Sequence, residues 1–285
     1  MCKATRHSAS SGVQRSRKWL SVPRLSIKHR FNQLRSPFLR FRSWQLLRPL
    51  VKAGLHPTTQ VSRVSPCDGQ VLHCGRTHGS QIEQVKGLTY SLENFLGPQD
   101  WRDLEDVGLP FMKQLGVHLS NRLYHHVVYL APGDYHRFHS PTDWSIQHRR
   151  HFPGSLLSVS PHVARWFPGL FCQNERVVLS GQWQFGLFSL TAVGATNVGS
   201  IHIYGDSELR TNHSCHVKGK YHDCSYLAQH GPTGLVLEKG DPLGEFNFGS
   251  TIVLIFEAPR AFKFHIRDGG RIFMGEALGS PTPLT

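Results

Sequence analysis

The chain has 285 residues, of which 32 are Lys or Arg and 19 are Asp or Glu, so its formal net charge is +13. The first acidic residue is Asp68, and residues 1–67 contain 14 of the basic residues, which leaves 18 basic and 19 acidic residues after them. This division excludes a strongly basic folded domain. Residues 68–285 form a nearly neutral body that is long enough for a full core, as one domain or two small ones.

The apolar runs and the cysteines exclude two further classes of protein. The longest apolar runs, such as 251–256, are far shorter than the roughly 18 to 20 residues of a membrane-spanning helix, so we expect no transmembrane segment. The six cysteines are scattered without a Cys-x-x-Cys pair. This spacing indicates free thiols in a reducing or non-secretory setting.

Residues 1–60 are rich in Arg, Ser and His, contain no acidic residue and carry single Leu, Phe and Trp residues among the charges. This composition is typical of a mitochondrial transit peptide, so we predict a disordered targeting segment. A segment for anionic lipid and a basic arm for nucleic acid remain alternatives. The apolar side of a lipid-binding segment would comprise Phe38, Leu39, Phe41, Trp44, Leu46 and Leu47.

From about residue 64 onward, short runs of β-branched and aromatic residues recur between Gly and Pro. This pattern predicts a mainly β (α+β) domain with a barrel- or sandwich-like β core and a few short helices. The predicted strands are 70–74, 124–130, 176–179, 187–193, 201–204 and 251–256. The best helix candidates are 88–95 and 161–172, where Pro161 suits a first helical turn.

Three short segments carry the residue types of a nucleophilic site. They are SPCDG at 65–69, DYHRFHSP at 134–141 and FGST at 248–251. Together, an Asp, a His and a Ser from these segments are the parts of an orienting group, a base and a nucleophile in a catalytic chain.

Each of these segments also has an ordinary explanation when it is considered alone. Asp68 before Gly69 is typical of a turn in which Gly takes a positive φ. His136 and His139 are compatible with a surface pair or with half of a metal site, although no further ligands lie at a recognisable spacing. The FGST segment is compatible with a loop that enters a strand.

The three segments, together with 84–97, 130–136, 148–154 and 174–179, closely resemble phosphatidylserine decarboxylases of the mitochondrial type. The resemblance runs from about residue 64 to residue 279. Its motifs are specific because three separate catalytic segments occur in the family's order. Phe248 stands where the family usually has Leu, and this apolar replacement leaves the bond between Gly249 and Ser250 unchanged.

The resemblance implies a self-processing enzyme that converts phosphatidylserine to phosphatidylethanolamine and CO₂. In the processing step, Asp68 orients His139, His139 takes the proton of Ser250, and Ser250 attacks the carbonyl of Gly249. Cleavage between Gly249 and Ser250 leaves a pyruvoyl group derived from Ser250, the cofactor that forms a Schiff base with the substrate. His136 is the acid and base of the decarboxylation, for which a pKa near the usual value of histidine is expected.

The resemblance also implies how the chain is divided and where it acts. Residues 61–285 are the catalytic domain, split by cleavage into a β chain that ends at Gly249 and an α chain of 250–285. We expect the two chains to stay associated through the strand at 251–256, and we expect no nucleic acid and no metal as partners. The expected location is the mitochondrial inner membrane surface, attached peripherally. The stretch 166–171 either faces lipid or is ordinary core.

Two other functions are compatible with the same residues. A processing-deficient relative would bind aminophospholipid without forming the pyruvoyl group. A Ser-His-Asp hydrolase would keep Ser250 as a serine and act on external substrates. A basic nucleic-acid-binding module is disfavoured by the near-neutral body.

Overall fold

The structure is a computed structural model that describes residues 63–85, 87–99, 110–196, 200–212, 220–247 and 250–280. The predicted targeting segment, the cleavage residue Gly249, Phe248 and two of the six cysteines, Cys2 and Cys215, lie outside these residues. The four cysteines that the structure describes are free thiols, as predicted. No helix within the described ranges is long and apolar enough to span a bilayer.

The described residues form mainly strands, with short helices in the connections. The strands are β1 (Arg63–Val64), β2 (Gly69–Arg76), β3 (Gln81–Val85), β4 (Leu88–Ser91), β5 (Asn121–Tyr129), β6 (Arg137–His139), β7 (Trp144–Phe152), β8 (Arg176–Trp183), β9 (Gly186–Val193), β10 (Ile201–Ile203), β11 (His222–Ser225), β12 (Leu235–Leu237), β13 (Pro242–Phe246), β14 (Thr251–Pro259), β15 (Lys263–Phe264), β16 (Arg271–Ile272) and β17 (Ala277–Ser280). The helices are α1 (Leu92–Leu96), α2 (Phe111–Gln114), α3 (Pro161–Ala164), α4 (Leu170–Gln173) and α5 (Tyr226–His230).

One large antiparallel sheet organises the molecule. Its strand order is β11-β7-β8-β9-β14-β5-β2-β16, with β12 paired to β7, and smaller sheets join β1-β17-β15, β10-β13-β6 and β3-β4. The mainly β prediction is confirmed. The described strands of the large sheet form an open series rather than a closed barrel.

The strand register aligns five strands at one end of the large sheet. Gln70 of β2 and Thr251 of β14 both pair with Tyr129 of β5, Thr251 also pairs with Val193 of β9, and Val193 pairs with Arg176 of β8. We call this row the Tyr129 end. The opposite ends of the same strands, where Tyr124 pairs with Phe256, form the Tyr124 end.

The core is built around β14, which lies between β9 and β5. Its first eight residues are all buried, which explains why the sequence reads as a continuous apolar run rather than an alternating one. The ring of Phe256 stacks on Phe188 and Tyr124 with both centroid distances at 6.0 Å. Burial of each such side chain contributes about 1.5–3 kcal/mol, so β14 is held firmly in the middle of the sheet.

Strand β7 was not predicted, because four charged or titratable residues, HRRH at 148–151, lie in its second half. All four are buried. Arg149 pairs with Asp206 at 2.9 Å, and Arg150 pairs with Asp223 at 2.7 Å. Buried charges are tolerated when they are paired and hydrogen-bonded, and these partners lie more than fifty residues away in the sequence.

Both helix predictions were correct only in part. Residues 88–91 form β4, and α1 begins after Ser91, whose Oγ accepts a hydrogen bond from the backbone N of Asn94. The predicted helix over 161–172 is divided into α3 and α4. Gly169 precedes α4 with a φ of 68°, a left-handed conformation that interrupts a helix.

Candidate active site

Backbone hydrogen bonds bring the three predicted segments together at the Tyr129 end. The N–H of Leu130 donates to the carbonyl of Ser250 at 2.7 Å, and the N–H of Phe246 donates to the carbonyl of His136 at 2.9 Å. The N–H of His139 donates to the carbonyl of Pro66 at 2.9 Å. The first segment is thereby joined to the second, and the second is joined to the strand that leads to Ser250.

Asp68 is buried immediately before β2, and its Oδ1 accepts a hydrogen bond of 2.9 Å from the backbone N of Met274. The turn explanation with a positive φ at Gly69 was wrong, because Gly69 is not among the glycines with positive φ. A Cβ at Gly69 would lie 2.4 Å from the carbonyl oxygen of Tyr129. Gly is therefore required here by the close approach of two strands, which also fixes the position of Asp68.

Cys67, which directly precedes Asp68, is a fully buried thiol. Burial raises its pKa well above the usual value, and the negative charges of Asp68 and Asp134 raise it further. Cys67 is therefore a neutral, unreactive thiol.

The hydrogen bonds of His139 define its tautomer. Nδ1 lies 3.0 Å from the carbonyl oxygen of Gly240, and Nε2 lies 3.0 Å from the hydroxyl of Tyr135. A carbonyl oxygen only accepts, so Nδ1 carries the proton and Nε2 accepts from Tyr135. The two rings are also stacked, with an interplanar angle of 14°. His139 thus presents Nε2 as its basic nitrogen, which suits the predicted role as a base.

His136 is buried, and its Nδ1 lies 2.7 Å from the backbone carbonyl of Asp134. Burial lowers its pKa to about 4, although the carbonyl and the charge of Asp134 act in the opposite direction. The expectation of a pKa near the usual value of histidine was therefore wrong, because desolvation penalises the imidazolium form. At neutral pH, His136 is a neutral imidazole.

Ser250 is completely buried at the start of β14. Among the residues that the structure describes, none reaches its Oγ with a hydrogen bond. A buried hydroxyl without a partner costs about 1–3 kcal/mol, a cost that is typical of a functional position. The bond from Leu130 fixes the backbone at this buried position.

Three residues of the site were missed by the sequence analysis as contributors. Tyr135 and Gly240 contact the ring of His139. Arg271, which follows Ser250 by 21 positions, forms an ion pair with the buried carboxylate of Asp134. Only Tyr135 had a sequence signal, its place inside the DYHRFHSP segment.

The stretch 166–171, which was expected either to face lipid or to be ordinary core, contains both buried and exposed residues. Leu170 and Phe171 are core residues with no exposed area, whereas 77% of Trp166 is exposed. No group of three or more His, Cys, Asp or Glu side chains in the described part of the chain is arranged to hold a metal ion.

Comparisons with known proteins show the family to which the chain belongs. The sequence profile of the phosphatidylserine decarboxylase family matches residues 42–280. The mitochondrial phosphatidylserine decarboxylase proenzyme of Rattus norvegicus is 54% identical over 252 residues, which cover 86% of this chain and 60% of the relative. Proenzyme 1 of Saccharomyces cerevisiae is 36% identical over 302 residues, with 80% and 60% covered. The corresponding values for proenzyme 1 of Arabidopsis thaliana are 40% over 257 residues, with 76% and 56% covered.

These relatives, from a mammal, a yeast and a plant, are all named mitochondrial. The chain spans about three fifths of the length of the curated relatives that it matches first. Since the family profile matches most of the chain, including all three site segments, the chain belongs to the phosphatidylserine decarboxylase family.

Proposed function

We propose that this chain is a self-processing, pyruvoyl-dependent decarboxylase that converts phosphatidylserine to phosphatidylethanolamine and CO₂. Family membership supports the reaction class. The observation that carries the proposal is the buried Oγ of Ser250, which lacks a hydrogen-bond partner among the described residues and stands at the start of a central strand. Ser250 directly follows Gly249, so the carbonyl that self-processing attacks is adjacent to a hydroxyl that has no other described partner.

The proposed cleavage begins when Ser250 Oγ attacks the carbonyl carbon of Gly249 and its proton passes to Nε2 of His139. The peptide C–N bond between Gly249 and Ser250 breaks as an ester bond forms between the Gly249 carbonyl carbon and Ser250 Oγ. The freed amino nitrogen of Ser250 takes up the proton from His139. Loss of the α-proton of residue 250 then expels the carboxylate of Gly249 and leaves a dehydroalanine. Addition of water to its imine tautomer releases ammonia and leaves the ketone of a pyruvoyl group.

The hydrogen bonds of His139 support its role as the base in this sequence. Because Nδ1 is committed to the Gly240 carbonyl, only Nε2 is able to accept a proton without a change of tautomer. The Tyr135 hydroxyl, which donates to Nε2, favours the neutral imidazole and keeps it ready for the proton of Ser250. Asp68 would act through its charge on the imidazolium that forms, since its segment is joined to His139 by the bond from the His139 N–H to the Pro66 carbonyl.

The position of the cleavage site supports continued association of the two products. The α chain of 250–285 begins at a residue that is followed directly by β14, and β14 pairs with both β5 and β9. The β chain, which ends at Gly249, contains both of these partners. Cleavage before residue 250 therefore leaves the central strand pairs intact.

A pyruvoyl ketone at position 250 would supply the electron sink that decarboxylation of an amino acid head group requires. His136 would move the protons. Since its pKa of about 4 makes it neutral at physiological pH, His136 must first take up a proton, and the ammonium group of the serine head group is the available acid. Once protonated in its buried site, it is a strong acid and returns the proton to the carbon that has lost CO₂.

We also propose that the enzyme acts at the mitochondrial inner membrane as a peripheral protein. The relatives are named mitochondrial, and the composition of residues 1–60 is typical of a targeting segment. In this proposal, residues 1–60 direct import, and residues 61–285 carry the chemistry.

Intact-mass spectrometry of the purified full chain tests the proposal. We expect two chains, and the smaller one should begin at residue 250 with a blocked, pyruvoyl N-terminus that reacts with hydroxylamine. A folded protein that remains one chain of 285 residues would contradict self-processing. Labelling of an intact Ser250 by a serine-directed phosphonate would instead support the hydrolase alternative.

A further inference from the structure

Three large apolar side chains are strongly exposed in the part of the chain that the structure describes: Leu119, Trp166 and Val236, with exposed fractions of 91%, 77% and 64%. Two of them lie at the Tyr124 end of the large sheet. Leu119 shortly precedes the first residue of β5, and Val236 pairs with Ser145 near the start of β7. An exposed apolar residue is not unusual by itself, so the location of the third one matters.

Trp166 belongs to a connection that leaves and re-enters the large sheet at the Tyr129 end, where Ser250 is located. The connection runs from the last residue of β7 to the first residue of β8, and these two residues, Phe152 and Arg176, pair with each other. Arg176 also belongs to the row of paired residues that contains Thr251, because Arg176 and Thr251 both pair with Val193. Trp166 is thus the exposed large apolar side chain, within the described ranges, whose connection is anchored at the end of the sheet that contains the candidate active site.

The backbone that carries Trp166 is firmly held. The side-chain amide of Gln84, which is completely buried, donates to the carbonyl oxygens of Ala164 and Phe167 at 2.7 and 2.9 Å. The N–H of Trp166 itself donates to the carbonyl of Val163 at 3.0 Å. Buried hydrogen bonds on both sides of Trp166 fix the turn, so the indole is exposed on a rigid support.

The charge of the connection is suited to an anionic partner. No acidic residue occurs between Asp143 and Glu175. Arg165, directly before Trp166, is exposed, as is Pro168. Indole rings prefer the interface between water and hydrocarbon, and an exposed Arg is attracted by anionic head groups with about 1 kcal/mol. We name Arg165, Trp166 and Pro168 the Trp166 surface.

We propose that the Trp166 surface docks onto an anionic lipid bilayer and turns the Tyr129 end toward the membrane. This inference rests on the proposed function, because a phospholipid substrate must leave the bilayer to reach residue 250. Insertion of the indole at the head-group level would shorten that path. Leu119 and Val236, at the other end of the sheet, would then point away from the membrane.

Vesicle binding of the full chain tests the inference. The vesicles contain phosphatidylglycerol in phosphatidylcholine, so that the anionic lipid is not consumed by the proposed reaction. We expect Trp166→Ala to lower the partition coefficient about tenfold. Arg165→Ala should lower it about fivefold on anionic vesicles and leave it unchanged on pure phosphatidylcholine.

Leu119→Ala is the matched control, because it removes an equally exposed apolar side chain from the Tyr124 end. All variants retain residues 1–67, so the contribution of that basic segment is common to them. Binding of Trp166→Ala that equals wild type would overturn the inference, and so would an equal loss in Leu119→Ala. A wild-type dimer that becomes monomeric in Trp166→Ala would also overturn it, because the surface would then bind a second copy.

Activity measurements separate the inference from the proposed function. On vesicles that contain phosphatidylserine, Trp166→Ala should lose about as much kcat/KM as it loses in binding. On a monomeric short-chain phosphatidylserine it should equal wild type, because no bilayer has to be bound. A wild type that decarboxylates neither substrate would refute the proposed function, whereas an equal loss on both substrates would refute only the membrane docking.

Discussion

Residues 63–247 and 250–280, which lie on either side of the proposed cleavage site, differ in where their strands find partners. In the first part, most strands pair with strands of the same part, as β3 does with β4 and β8 with β9. In the second part, β14 pairs with β5 and β9, and β16 pairs with β2. Only β15 and β17 pair within it. The C-terminal part is thus a set of strands completed by the larger part.

Side chains also join the two parts, and we call the contacts between the two parts the seam. Asp268 accepts hydrogen bonds from the backbone N of Cys74 at 2.9 Å and bonds Nδ1 of His73 at 2.7 Å. Arg271 forms an ion pair with Asp134, beside the candidate active site. The difference teaches that a peptide bond before residue 250 is dispensable for the architecture, since the pairs that hold β14 do not depend on it.

The largest expected effect comes from Ser250→Ala, which removes the precursor of the ketone. We expect no cleavage and no decarboxylation, because no pyruvoyl group is able to form. The fold should be retained, since the side chain that is removed has no described hydrogen-bond partner. Mass spectrometry and thermal unfolding check both statements.

Ser189→Ala is the control for Ser250→Ala. Ser189 is also completely buried, but its Oγ donates to the carbonyl of Leu179 at 2.9 Å. This variant should be cleaved normally and lose only about 0.5–1.5 kcal/mol of stability. Activity in Ser250→Ala would disprove the pyruvoyl mechanism.

His136→Ala should separate the two chemical steps. The peptide bond between Gly249 and Ser250 would still be cleaved, because His139 supplies the base for cleavage. The decarboxylation rate should fall about 10²- to 10⁴-fold, the usual contribution of a general acid or base. The comparison variant is His139→Ala, which we expect to remain a single chain; an equal block of cleavage in His136→Ala would assign His136 to processing instead.

The seam should be sensitive to acid. His125 and His126 of β5 face Ile255 and Leu254 of β14 in the register, and burial lowers the pKa of each to about 3. Above about pH 6.5, neither folded nor unfolded chains protonate these rings. As the pH falls from 6.5 to 3, the unfolded chain binds protons that the folded chain does not, so the free energy of unfolding decreases.

The loss amounts to at most about 4–5 kcal/mol for each histidine. His126→Phe should reduce this loss of stability at low pH, because the new ring cannot be protonated. The new ring should also fit, since the ring of Phe264 stacks on the ring of His126 with a centroid distance of 6.0 Å. Urea unfolding at several pH values measures the change. His202→Phe, at an exposed position, should leave the pH dependence unaltered, and an unaltered profile in His126→Phe would refute the explanation.

Gly69→Ala should disturb the seam where β2 meets β5 and β16. Its Cβ would lie 2.4 Å from the carbonyl oxygen of Tyr129, and Gly69 also pairs with Ile272. We expect a loss of about 1–3 kcal/mol, as is usual for overpacking, together with slower cleavage because Asp68 is displaced. Gly133→Ala, where a Cβ meets no atom within 4 Å, should be neutral in denaturant unfolding.

The smallest effect is expected from Tyr135→Phe. Without the hydroxyl, Nε2 of His139 loses the donor that orients the ring. Cleavage should slow about 2- to 10-fold, which corresponds to one ordinary hydrogen bond, and mass spectrometry of the two chains over time measures the rate. An unchanged rate would indicate that Tyr135 only packs against the ring.

Sequence reasoning succeeded where a local pattern reports directly on burial. The run over 251–256 is apolar at every position except Thr251, and only a strand buried on both faces or a buried helix carries such a run. The position and length of the run favoured a strand, which the structure contains as β14. The three site segments were selected in the same way, from residue types that are local in the sequence, and backbone hydrogen bonds join them in the structure.

Sequence reasoning failed where the physical cause of a feature lies far away in the chain. The HRRH run reads as a solvated surface until Asp206 and Asp223 are known to neutralise Arg149 and Arg150. The low pKa of His136 depends on complete burial, which no local pattern encodes. Likewise, the role of Gly69 depends on the close approach of Tyr129 from another strand.

The hydrogen bond from Met274 to Asp68 has a consequence for the order of events during biosynthesis. Asp68 is made long before its donor, which lies 24 residues after Ser250. A growing polypeptide therefore contains the serine of the proposed cleavage before it contains the group that fixes Asp68. In the proposed mechanism, cleavage of a chain that has not yet reached Met274 is thereby disfavoured.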